Sequence, residues 1–182
     1  VEGRQIGIRG VVADAAKANF THSDNRTNLT LVGNMGDGAF SGYGYIQNGN
    51  VDATISGNAL PLTSLSPIIG QDVDGTLNTS ITIKGVLDNP NVTGTVWGQE
   101  VHYKGARFDN IHGDIQLDNH VLTITNGHVG DASGGYDVTG WYNINTDALD
   151  LNARARAVRI ENLIRTVTDI PITGWFETDN HI

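Results

Sequence analysis

Apolar residues recur along the chain with a period of two: Leu77, Thr79, Ile81 and Ile83, then Val92 and Val96, Val101 and Tyr103, Ile115 and Leu117, Leu122 and Ile124, Tyr136 and Val138, and Ala148 to Leu151. Successive side chains of a strand point to opposite faces, so this alternation predicts half-buried β-strands. Between the runs stand turn formers, as in Asp88-Asn89-Pro90-Asn91, Asp118-Asn119-His120, Gly33 to Gly38, Gly130 to Gly135 and Asn145-Thr146-Asp147. Short strands punctuated this regularly predict an all-β architecture. Two segments follow another rhythm. Leu62, Leu65, Ile68 and Ile69 come after Pro61, and Ile160, Leu163, Ile164 and Val167 hold the spacing of one apolar helical stripe, so each predicts a short helix.

The chain also resembles itself. Val1-Glu2-Gly3-Arg4 through Arg9-Gly10 to Asp14 has a counterpart 95 residues on, in Val96-Trp97-Gly98-Gln99 through Lys104-Gly105 to Asp109. Leu29-Thr30-Leu31 matches Leu122-Thr123-Ile124 at a shift of 93, Val51 to Ile55 matches Asp147 to Leu151, and Val73-Asp74-Gly75 matches Ile172-Thr173-Gly174. These matches predict about 1.9 repeats of ~96 residues, each with one short helix: a partial first repeat over 1–83 and a truncated second over 84–182. A unit of short strands cannot bury its apolar face alone and stacks on its neighbours, which predicts an elongated sheet cut from a longer chain.

Composition narrows the chemistry. Glycine accounts for 23 of 182 residues and charged residues for 17%, against usual shares of about 7% and about 25%. Cysteine is absent, so disulfides and thiolate chemistry are excluded. A net charge of -9 with 11 Lys and Arg argues against nucleic acid and against an anionic membrane surface. The six histidines (His22, His102, His112, His120, His128, His181) lack the spacing of a zinc motif, and solvent-facing or turn positions are expected for them. The Asp-rich turns, among them Asp72 to Gly75, lack the calcium loop's terminal Glu. The carboxylate pairs Asp72/Asp74 and Asp114/Asp118 come with no aromatic cleft for a sugar. No enzyme, metal or cofactor is expected. Trp97, Trp141 and Trp175 stand beside glycines and are expected to pack over a glycine or a sheet edge, the latter two at strand starts.

An alternating apolar face either closes on itself as a core or stays open as a groove. Small residues such as Ala53, Ala153 and Ala155 interleave the large ones and leave room that a close-packed core fills, which favours a groove. The residues expected on its concave side are Leu29, Leu31, Ile46, Ile55, Leu77, Ile81, Ile83, Val92, Val96, Val101, Tyr103, Ile115, Leu117, Leu122, Ile124, Val138, Ile144, Leu149 and Leu151.

The order Leu60-Pro61-Leu62, Gly75-Thr76-Leu77, Lys84-Gly85-Val86-Leu87, Asn89-Pro90-Asn91, Tyr103-Lys104-Gly105, Ile111-His112-Gly113-Asp114, Leu122-Thr123-Ile124 and Gly134-Gly135-Tyr136 resembles the C-terminal region of the TamB family, the translocation and assembly module of the AsmA-like superfamily. The resemblance implies an elongated curved sheet folded like a taco, whose apolar groove holds phospholipid acyl chains. It implies a periplasmic protein anchored in the inner membrane, with the anchor outside this fragment. The role implied is phospholipid transport to the outer membrane and outer-membrane assembly, beside a barrel assembly protein of the BamA/TamA type. Two alternatives stay open: a chaperone-like module that adds strands to outer-membrane proteins, and a β-helix stalk, against which the long repeat argues because its rungs run to roughly 18–25 residues.

Overall fold

The protein's computed structural model describes residues 2–8, 10–69, 73–103, 106–131, 134–159 and 175–181. Twelve strands form one antiparallel sheet: β1 (Glu2–Ile8), β2 (Val11–Ser23), β3 (Arg26–Met35), β4 (Gly38–Gln47), β5 (Asn50–Pro61), β6 (Val73–Val86), β7 (Asn91–Tyr103), β8 (Ala106–Asp118), β9 (Val121–Asp131), β10 (Gly134–Asn143), β11 (Leu149–Arg159) and β12 (Trp175–His181). Spatial order follows chain order, so the sheet is an open meander with β1 and β12 at its edges. Among the described residues one helix, α1 (Leu62–Ile69), stands between β5 and β6. The helix expected around Leu163 lies outside the described residues.

Local chemistry sets the joints. Asp24-Asn25 and Asn119-His120 each carry two successive left-handed residues. That is the backbone twist a two-residue hairpin needs, and Asn, Asp and His tolerate it better than other side chains. Left-handed residues also sit within strands, at Gln5, Ala59, Glu100, Asn126 and Ala157. The pairing slips beside Ala59, Glu100, Asn126 and Ala157, where one strand takes an extra residue, as β-bulges do. Alanine strains at φ 48°, whereas glycine does not. Ala59→Gly is therefore expected to be neutral or to stabilise by up to about 1 kcal/mol, a gain of roughly 2–4 °C in Tm; a fall in Tm in a calorimetric scan would show that the bulge is unstrained.

Several strand pairs of the first half of the sheet have counterparts in the second. Gly3↔Ala16 and Ile6↔Ala13 reappear 95 residues later as Gly98↔Ile111 and Val101↔Phe108. Phe40↔Gly57 reappears as Tyr136↔Ala155, and Leu60↔Leu77, across its bulge, as Val158↔Phe176. The turns fix these matches more firmly than side-chain likeness does. Ser23↔Arg26 corresponds to Asp118↔Val121, so β3 and β9 match at a shift of 95, which sets Leu29 against Ile124 and not Leu122. Likewise Val51 corresponds to Leu149, where β11 begins, and not to Asp147.

The sheet is curled. Helix α1 packs against β5 and β6 and also against β2, which in a flat sheet would lie four spacings, about 19 Å, from β6. An eight-residue helix is only about 12 Å long, so the sheet brings β2 and β6 together around it. Turn glycines let the helix approach: a Cβ on Gly10 would stand 2.9 Å from Pro67, and one on Gly36 would stand 3.2 Å from Pro61. Both glycines are left-handed, so a side chain there meets backbone strain as well. Leu62 is buried in this cap. The molecule exposes 11265 Å², about a third more than the roughly 8,500 Å² of a compact monomer of its mass.

Candidate functional site: an uncovered apolar trough

Residues paired across antiparallel strands share a face, so pairing traces each face through the sheet. One row runs Ala18, Leu31, Gly42, Ile55, Ile81, Gly94, Ile115, Ile124, Gly140, Leu151. The neighbouring row on the same face runs Phe20, Leu29, Gly44, Ala53, Ile83, Val92, Leu117, Leu122, Tyr142, Leu149. On the other side of the first row lie Phe40, Gly57, Thr79, Val96 and Gly113, then Gly127, Val138 and Ala153 past the β9 bulge. Leu77 belongs to this face beside Leu60, and Ile46 beside Val51. Val101 and Tyr103 follow the Glu100 bulge, and Val101 packs against Gly98, also of this face. Ile144 lies in the connection after β10, where its N–H donates to the carbonyl of His120. The expected groove residues are thus brought onto one face, with Ile144 at its end.

The opposite face is polar. Its rows read Thr30, Tyr43, Thr54, Thr82, Thr93, Gln116, Thr123, Trp141 and Val32, Ser41, Ser56, Ser80, Thr95, Asp114, Thr125. Trp97, His112, His128, Asp137 and Arg154 form another polar-face row. His112 and His128 stack with ring centroids 5.3 Å apart, and His128 Nδ1 lies 2.9 Å from a carboxylate oxygen of Asp137. That hydrogen bond holds the Asp137 carboxyl below the ordinary carboxylate range. Trp141 stands late in β10 and not at a strand start. Among the described residues no group of three or more His, Asp or Glu is placed to hold a metal ion. No described helix is long and apolar enough to cross a membrane.

Among the described residues no element but α1 covers the apolar face. Among the described residues the buried apolar side chains are Ala13, Met35, Leu60, Leu62, Val101, Ala106 and Ala155, all toward the end of the strands where α1 sits. No large side chain among them is fully buried. Toward the other end Phe20, Leu29, Ile46, Tyr142 and Leu149 are exposed, Phe20 at 59%. The trough is therefore closed under α1 and open at the opposite lip. There the turns are tied together: Asn25 donates to Asn48, Leu87 to Gly49 and Asn89 to Asn119. Toward the α1 end lies a cavity of about 600 Å³ lined by β1–β5, with Leu31, Phe40, Ile55 and Leu60 among its walls.

Of the polar groups on this face, Thr79 donates its hydroxyl to the carbonyl of Thr95, while another is left unpaired among the described residues. The hydroxyl of Tyr136, which pairs with Val129 and Ala155 on the trough face, is buried without a hydrogen-bond partner. Burial pushes its pKa up. A buried hydroxyl without a partner costs about 1–3 kcal/mol, so Tyr136→Phe is expected to raise Tm by several degrees. A lower Tm by calorimetry would mean that an acceptor reaches this hydroxyl. The cysteine-free, Gly-rich alternation signalled the face, but neither Tyr136 nor the cavity had a sequence signal, because both depend on which strands curl together.

No family model, curated protein or solved structure matches the chain. The functional reading rests on the geometry.

Proposed function

We propose that the apolar face is a lipid-binding trough that shelters acyl chains, and that the chain is a segment of a TamB-like, periplasm-spanning protein carrying phospholipid toward the outer membrane. The observation that supports it is an apolar face running through at least ten adjacent strands, over which the described residues place nothing but α1. Water against such a surface is unfavourable by about 25 cal/mol per Å². An acyl chain gains about 0.8 kcal/mol per buried methylene, so sheltering sixteen carbons offsets on the order of 12 kcal/mol. No bond is made or broken in this role, and no catalytic group is assigned. The anchor in the inner membrane and a BamA/TamA-type barrel partner belong to the same proposal, through the resemblance alone.

The test is photocrosslinking in membranes. Photoreactive residues replacing Ile83 and Ile124, on the trough face, should capture phospholipid, while the same groups at Thr82 and Thr123, on the polar face, should not. Equal capture from both faces would reject the trough. A second reading, strand addition to outer-membrane proteins, draws on the open edges at β1 and β12; it would be favoured if crosslinks from β1 capture protein while those from Ile83 and Ile124 capture nothing.

A further inference from the structure

We propose that the cavity lined by β1–β5 takes one acyl chain, measures it by length, and is indifferent to the headgroup. This rests on the trough reading and goes beyond it by fixing the number of chains and what is recognised. The first argument is size. The cavity holds about 600 Å³, and a methylene needs about the 30 Å³ that a water molecule takes in the liquid. One chain of up to roughly twenty carbons fills it, and two such chains do not fit.

The second argument is the stop. Met35 and Leu60, both buried, line the cavity toward the strand ends where α1 sits, so the chain's methyl end meets a wall there. The third is charge. The described cations of β1–β6 all lie on the opposite face: Arg4 pairs in register with Ala15, Lys17 is bridged to Glu2, Arg26 lies over the Tyr45 ring and Lys84 faces Asp52. The cavity itself is walled by Ile6, Ala18, Leu31 and Phe40 with no ionisable side chain. Nothing in it reads a phosphate.

The experiment is competition against a fluorescent fatty acid, using lysophosphatidylcholines of ten to twenty-two carbons below their micelle concentrations. Affinity should rise about fourfold per methylene and level off near eighteen to twenty carbons. Lysophosphatidylglycerol and the free fatty acid of equal length should bind within about threefold of the choline lipid, and a diacyl lipid should bind no tighter than its lysolipid. Ala18→Phe should move the plateau to shorter chains and Leu31→Ala to longer ones, each checked for fold by circular dichroism. Affinity that keeps rising past the plateau, a strong headgroup preference or a plateau unmoved in both variants would overturn the single-chain cavity while leaving the trough. Absence of binding at every length would overturn both.

Discussion

Ile81→Asp and Leu117→Arg should each abolish acyl-chain capture in a protein that still unfolds cooperatively. Both side chains lie in the central trough rows, Ile81 beside Ile55 and Gly94, Leu117 beside Val92 and Leu122, and both are only half-buried. A charge placed there keeps part of its water, so the cost is chiefly the lost apolar burial, about 1–2 kcal/mol, or roughly 2–8 °C in Tm. In a sealed interior an unpaired charge would cost about 3–5 kcal/mol. For a chain in the trough the same charge either wets the path or must be stripped of water, and capture at Ile83 and Ile124 should fall more than tenfold. Loss of cooperative unfolding in both variants would mean the face is sealed. Undiminished capture in well-folded variants would mean that lipid does not run along these rows.

The largest expected loss of stability comes from a methyl group. A Cβ on Gly38 would stand 2.4 Å from the carbonyl oxygen of Ala59 and 2.8 Å from the Cα of Leu60. These are backbone atoms of the β5 bulge, which no side-chain rotation moves aside. Gly38→Ala is expected to cost about 2–3 kcal/mol, roughly 4–12 °C in Tm. On β1 the nearest atom to a Cβ on Gly7 is 3.8 Å away, and Gly7→Ala should change stability little. Equal Tm values for the two variants would show that β4 and the bulge move apart freely.

Much of the fold is legible in the alternation, because a strand with one apolar face must show period two. What alternation alone does not show is an unmarked bulge. Val96 and Val101 are five residues apart, a spacing that strict alternation puts on opposite faces; the left-handed Glu100 turns Val101 back to the trough, and glutamate gives no sign of it. The shift of 93 drawn between Leu29 and Leu122 follows like side chains, whereas the Asp24-Asn25 and Asn119-His120 turns set it at 95, and period two makes both alignments look equally good. The cap that α1 makes was out of reach for another reason. It depends on Pro67 meeting Gly10, a contact set by the curl of four intervening strands and not by any local pattern.

The central row has a rhythm of its own: Leu31, Gly42, Ile55, Ile81, Gly94, Ile115, Ile124, Gly140, Leu151, with glycine on β4, β7 and β10. Three strand spacings are about 14 Å, so the floor is corrugated, each shallow bay separated from the next by a pair of bulky aliphatic side chains. For a hydrocarbon chain travelling along the sheet axis, bays and ridges differ by the contact of a methylene or two, about 1 kcal/mol each. That is a few multiples of thermal energy. Such a track resists motion only weakly at every step, so that beyond the cavity of β1–β5 cargo advances by many small hops.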